Sequence, residues 1–123
     1  MKKRILVVDD DRTILESLKS ILQLEGYTVD TVETSREAIQ KAQDQLYHLA
    51  LLNIKLPDMK DTTLLVKLQR DFPDMVKIML TGLSSDRTRE FMSLGADAYI
   101  TKPIHPKKLL KVVKEKLRKS VNQ

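Results

Sequence analysis

The sequence predicts one α/β domain built on a parallel sheet, and three observations carry that prediction. Five short apolar runs recur at near-regular spacing along the 123 residues. Segments with helical rather than alternating periodicity separate them. Strand alternating with helix in this way argues for parallel strands joined by right-handed crossovers.

The first run, Ile5-Leu6-Val7-Val8, is continuously apolar, as are Leu49-Ala50-Leu51-Leu52 and most of Val76 to Leu80. Such runs suit central strands covered on both faces. The run from Tyr27 to Val32 is diluted by Thr28, Asp30 and Thr31, which suits an edge strand; Ala98-Tyr99-Ile100 is the fifth. Between the first two, Ile14, Leu15, Leu18, Ile21 and Leu22 fall on one helix face, and Gly26 follows where a left-handed residue commonly ends a helix. Ala38, Ile39, Ala42 and Leu46 mark a second helix, with Thr34 and Glu37 spaced as a capping box. Leu64, Leu65, Leu68 and Phe72 mark a third, stopped by Pro73. Phe91, Met92 and Leu94 mark a short fourth, ended by Gly95, and Leu109, Leu110, Val113 and Leu117 a fifth, with Pro106 suited to its first turn.

Composition narrows the class. Hydrophobic residues at 41% supply one core of ordinary size, and charged residues at 32% imply a wet surface. The basic start Lys2-Lys3-Arg4 precedes only four apolar residues and then three aspartates, too short for a secretory signal. With no apolar run near membrane length and no cysteine, the expectation is a cytoplasmic protein without a thiolate site or a membrane partner. The formal net charge is +5, and Lys107, Lys108, Lys111, Lys114, Lys116, Arg118 and Lys119 crowd the last segment against Glu115. That stripe reads first as a solvated helix face whose cations suit the helix C-terminus, and only second as a site for an acidic partner or nucleic acid. No aromatic interleaves the lysines, so base stacking has no support.

In an open parallel sheet, ligands bind outside the carboxyl ends of the strands. The residues there are Asp9-Asp10-Asp11 after the first strand, Asn53 after the third, Thr81-Gly82 after the fourth and Thr101-Lys102-Pro103 after the fifth. Clustered carboxylates repel and call for a cation, and oxygen ligands favour a hard ion such as Mg²⁺. Asp11 reads instead as a helix N-cap. A Thr hydroxyl and a Lys ammonium nearby could contact phosphoryl oxygens.

Four linked motifs, Ile5 to Asp11, Leu51 to Met59, Ile78 to Gly82 and Gly95 to Pro103, together resemble response-regulator receiver domains over nearly the whole chain. The resemblance implies a two-component signalling domain over 1–123, not an enzyme, with a flavodoxin-like (βα)5 fold. Its sheet would have the order 2-1-3-4-5 with helices on both faces. It further implies Mg²⁺ binding by Asp9, Asp10 and the backbone carbonyl of Lys55, and a cis peptide before Pro103. Thr81 and Lys102 would contact a phosphoryl group, and Tyr99 would move inward or outward with Thr81. Read without the resemblance, Tyr99 is half-buried core. Partners would be proteins, a histidine kinase or an output domain, meeting a face of the fourth helix, fifth strand and fifth helix. That face would carry Arg87, Arg89, Tyr99, Lys107, Lys108 and Lys111; nucleic acid would not be bound by this domain itself.

The chain departs from the pattern at Asn53, where the family has its phospho-accepting aspartate. An amide is neutral and its oxygen a poor nucleophile, so no aspartyl-phosphate can form there and Mg²⁺ binding should weaken. A second departure is Asp61, where glycine is frequent, and it reads as an N-cap for the third helix. Asp58 and Asp61 lie off the strand end and are poor substitute acceptors; the Lys55 side chain either faces the site or, more simply, solvent. Asn53 fits either a naturally atypical receiver or an engineered replacement in an ordinary one, and the coincident change at Asp61 favours the natural case. A flavin-binding relative would need a phosphate-cradling loop where the aspartates stand. A Mg²⁺-dependent phosphatase using Asp9 and Asp11 would lack a cap domain to hold substrate.

Overall fold

A computed structural model describes residues 2–82 and 87–121. The chain runs β1 (Arg4–Val8), α1 (Arg12–Leu24), β2 (Thr28–Val32), α2 (Ser35–Asp44), β3 (Leu49–Asn53), α3 (Asp61–Asp71), β4 (Val76–Thr81), α4 (Arg87–Ser93), β5 (Ala98–Thr101) and α5 (Pro106–Val121). The strands form one sheet in the order β2-β1-β3-β4-β5, every neighbouring pair parallel. The three continuously apolar runs are the three central strands, and the polar-diluted β2 lies at an edge.

The apolar runs are continuous because each strand serves two cores. Side chains alternate across a strand, so Leu6, Val8, Ala50, Leu52 and Met79 pack with Ala38, Leu64, Leu65, Leu68 and Phe91 beneath α2, α3 and α4. Ile5, Val7, Leu49, Leu51, Ile78 and Leu80 face the other way, onto Leu15, Leu18, Leu22, Leu109, Val113 and Leu117 of α1 and α5. Polar residues on these central strands would be buried whichever way they pointed. Lys77 is such a residue in mid-strand: it is 0% exposed on β4, and its ammonium donates to Gln69 Oε1 at 2.6 Å and to the Phe72 carbonyl at 3.1 Å. A buried ammonium with those acceptors is satisfied, and its second partner is the carbonyl that closes α3.

Helix ends follow the sequence in most places. Asp11 accepts from the backbone N–H groups of Thr13 and Ile14 and so caps α1. Thr34 Oγ1 accepts from the Glu37 N–H at 3.1 Å, while the Glu37 carboxylate accepts from the Thr34 hydroxyl and not from its backbone, giving half a capping box. Gly26 and Gly95 both take positive φ, 95° and 116°, after α1 and α4. Asp61 is not the cap expected of it: α3 begins at Asp61 itself, with Lys60 at the N-cap position and no side-chain bond there. The acid that caps a helix from this loop is Asp58, whose two oxygens accept from the Ser35 and Arg36 N–H groups at 2.9 Å each, at the start of α2.

Candidate functional site

Parallel pairing sets the ends of β1, β3 and β4 side by side. Val8 is level with Leu52, and Asn53, the last residue of β3, with Leu80 of β4. The turn after β1 therefore brings Asp9 and Asp10 beside Asn53. Lys102, just past β5, is drawn over the same edge by its N–H, which donates to the Thr81 carbonyl at 2.6 Å. The Lys102–Pro103 peptide is cis.

The side chains form a closed set of contacts around Asn53, which is 9% exposed. Its Oδ1 accepts from Lys102 Nζ at 2.9 Å. Its Nδ2 donates to the Lys55 carbonyl at 2.8 Å and, at 3.4 Å, to Asp10 Oδ1. The amide orientation follows from its partners: an ammonium needs an acceptor, and a carboxylate and a carbonyl need a donor. Lys102 Nζ also pairs with Asp9 Oδ2 at 3.2 Å, and Asp9 Oδ1 accepts from the Asp11 N–H at 2.9 Å. Burial raises the Asp9 pKa above the usual carboxylate value, against the hydrogen bond from Asp11 and the charge of Lys102. Asp9 itself is 0% exposed, which leaves no room for a substrate at its oxygens, and Asp11 is committed to capping α1.

Asp10, Asn53, Ile54, Lys55, Thr81, Gly82, Arg87 and Lys102 line an open cavity of about 470 Å³ over these groups. Asp10, Lys55, Thr81 and Lys102, named from the sequence, thus converge on it. Tyr99 is not among the residues lining it; it lies on β5 at the sheet edge and is 44% exposed. Among the described residues, no strand pairs with β5 on its outer side. Arg87 was not singled out for the site, and it lines the cavity from the start of α4 while pairing with Glu90 at 3.0 Å. No sequence motif marks it, because its approach depends on how α4 sits after the loop.

The magnesium ligand set fits this arrangement poorly. The Asp10 carboxylate and Lys55 carbonyl both point at the Asn53 amide nitrogen, so a cation would have to displace that donor from both. Among the described residues, no three His, Cys, Asp or Glu side chains converge to hold a metal.

Comparison with known proteins places this geometry. The family description "Response regulator receiver domain" matches residues 5–114. The chain belongs to the response regulator receiver domain family. It is similar to the regulatory protein VanR of Enterococcus faecium, with 37% identity over 120 residues, 97% of this chain and 52% of VanR. The alkaline phosphatase synthesis transcriptional regulatory protein PhoP of Bacillus subtilis is 34% identical over 121 residues, 98% of this chain and 50% of that protein. The chain thus spans about half the length of the curated relatives it matches. A CheY-like receiver domain protein from Methanospirillum hungatei JF-1 superimposes with a TM-score of 0.95 at 47% identity, covering 99% of this chain and 98% of that one. Receiver domains are signalling modules of two-component response regulators; they generally bind Mg²⁺ at the phosphorylation site and interact with histidine kinases and output domains. No helix among the described residues is long and apolar enough to cross a membrane.

Proposed function

We propose that this receiver domain signals without accepting a phosphoryl group at position 53, with weakened Mg²⁺ binding, through protein contacts on the α4–β5–α5 face. One observation carries the reading: the Asn53 amide donates to the two groups the family resemblance assigns to the metal and accepts from the lysine it assigns to the phosphoryl group. An aspartate at this position would put three carboxylates against one ammonium. Two like charges about 4 Å apart repel by about 4 kcal/mol near a protein surface, so such a site calls for a cation. The amide removes one of those charges and places an N–H donor between Asp10 and Lys55, a neutral substitute for the bridging ion. The resulting site is satisfied internally, and its oxygen is no nucleophile for phosphorus.

The output face is exposed. Tyr99 and Met92 are 44% and 43% accessible, and Arg87, Arg89, Lys107, Lys108 and Lys111 are exposed beside them. An aromatic and a methionine among cations suit a protein partner with an acidic rim. The buried Asp9 and the capping role of Asp11 argue against a phosphatase that would use either as nucleophile.

Intact mass after incubation with a small-molecule phosphodonor and Mg²⁺ tests the proposal. The wild-type chain stays unmodified, and Asn53→Asp gains one phosphoryl group, because Asp9, Asp10, Thr81 and Lys102 are in place. Labelling of the wild-type chain would overturn the reading. Failure of Asn53→Asp to label would show a site altered beyond one residue.

A further inference from the structure

We propose that α5 presents a binding ridge for the phosphate backbone of duplex nucleic acid. The inference is independent of phosphotransfer at position 53, and it reverses the expectation that this domain would leave nucleic acid alone. Residues 106–118 carry Lys107, Lys108, Lys111, Lys114, Lys116 and Arg118 against Glu115 alone, a net +5 that equals the formal charge of the whole chain. The remainder of the protein is therefore neutral, and the excess is confined to one helix.

The fold decides how these cations are arranged. Leu109, Val113 and Leu117 are buried in the core beneath α5, which fixes the rotation of the helix. At about 100° per residue, Lys107, Lys111, Lys114 and Arg118 then fall within an arc of roughly 60° on the solvent side of the helix, with Glu115 flanking the row about 40° beyond Lys111. All four are exposed. At 1.5 Å per residue the row is about 16 Å long, with steps of about 5–6 Å; over that length one strand of a duplex presents several phosphates, at one per about 3.4 Å of axis. Lys114 also meets Glu25 at 3.2 Å, with the two side chains 52% and 36% exposed; such surface pairs are weak and yield readily to a stronger anion.

The chemistry of the ridge selects among polyanions. Lys107 and Lys111 also border the proposed protein face, but its anchors Tyr99 and Met92 lie outside α5, and the row itself offers no aromatic or aliphatic anchor of the kind protein interfaces use. A membrane-surface helix needs a free apolar face, and that of α5 is already spent on the core. A second copy docking ridge to ridge would set like charges together. A phosphate backbone needs only cations in a row, and binding releases its counterions.

Fluorescence anisotropy of a labelled duplex of about 20 base pairs, titrated with the full 123-residue chain at several salt concentrations, tests the proposal. Four neutralised phosphates give a log–log salt slope of about −3.6, an affinity loss of about 150-fold between 50 and 200 mM salt. K107E/K111E/R118E, and its milder counterpart K107Q/K111Q/R118Q, should weaken binding at least about tenfold at fixed salt and flatten the slope. K2E/K19E/K41E removes the same charge from exposed positions elsewhere and should stay within about threefold of wild type. Circular dichroism checks that each variant is folded. Equal losses in the ridge and control variants would overturn the proposal. So would tighter binding to polyglutamate or to phosphatidylserine vesicles than to the duplex at the same salt, each of which would assign the ridge to a different partner.

Discussion

At Asn53 one heavy-atom difference, nitrogen for oxygen, changes which groups the pocket must gather. With an amide, Lys102 is satisfied by Asn53 Oδ1 and Asp9, and the Lys55 carbonyl by Asn53 Nδ2, so the internal contacts close without an ion. The place of Asn53 at the end of β3 could be read from the sequence, because the apolar run before it fixes the register. The hydrogen bonds could not, since they depend on the side-chain geometry of three loops. Asp58 shows the same limit. In the sequence it is one more loop acid, whereas in the fold it caps α2 across 23 residues, and the hydrogen bonds from Ser35 and Arg36 hold its pKa below the usual value against its partial burial. Asp58→Ala should destabilise the domain by about 1 kcal/mol, the usual worth of a helix cap, measured by urea unfolding. A change indistinguishable from zero would mean that solvent caps α2 equally well.

The elements were the most legible level. Period-3.6 stripes and short apolar runs mark the ten elements of the described residues, because the central strands are covered on both faces, the edge strands only in part, and each helix on one. Boundaries depended on turn chemistry. Gly95 was placed correctly at the end of α4, and the structure supplies a second reason for it: with φ +116°, an added Cβ would lie 2.6 Å from Gln69 Cγ. Gln69 cannot move freely, since its Oε1 accepts from buried Lys77. Gly95→Ala should therefore cost about 2 kcal/mol in thermal or urea unfolding. Gly82→Ala, where nothing among the described residues lies within 4 Å of an added Cβ and φ is not left-handed, should be near neutral. Lys77 is where pattern reading ran out. A lysine in a central strand resembles a break in the apolar run, and only the fold reveals the carbonyl of Phe72 and the amide of Gln69 waiting for it.

For the whole molecule, the site sits at one end of the sheet and a separate set of contacts closes the other. There His48 Nδ1 accepts from the Arg4 N–H at 3.0 Å, Tyr47 donates to Asp30 at 2.6 Å, and Arg4 pairs with Asp30 at 3.4 Å. Burial, then the charge of Lys3, lowers the His48 pKa below its ordinary 6.5, so the native state resists a proton that the unfolded chain accepts. The contribution of His48 is complete above pH 6.5 and is lost as pH falls below that value toward the lower native pKa. The carboxylates of Asp58 and Asp71, with pKa values below 3.8, lose their contributions only in stronger acid. Urea unfolding should show wild-type stability falling more between pH 6.5 and 5 than that of His48→Asn, which keeps an acceptor without the titration. Parallel pH profiles for the two proteins would remove His48 from the account.

The contacts of the Asn53 side-chain amide with Asp10 and the Lys55 carbonyl, the groups proposed above to hold Mg²⁺, can be observed in solution. A Mg²⁺ titration followed on the ¹⁵N-labelled Asn53 carboxamide, beside a titration of Asn53→Asp, reads both states of the site. The account predicts slowly exchanging carboxamide protons whose signals stay in place at Mg²⁺ concentrations that saturate Asn53→Asp. Carboxamide signals that shift and saturate over the same range as the aspartate variant would contradict it.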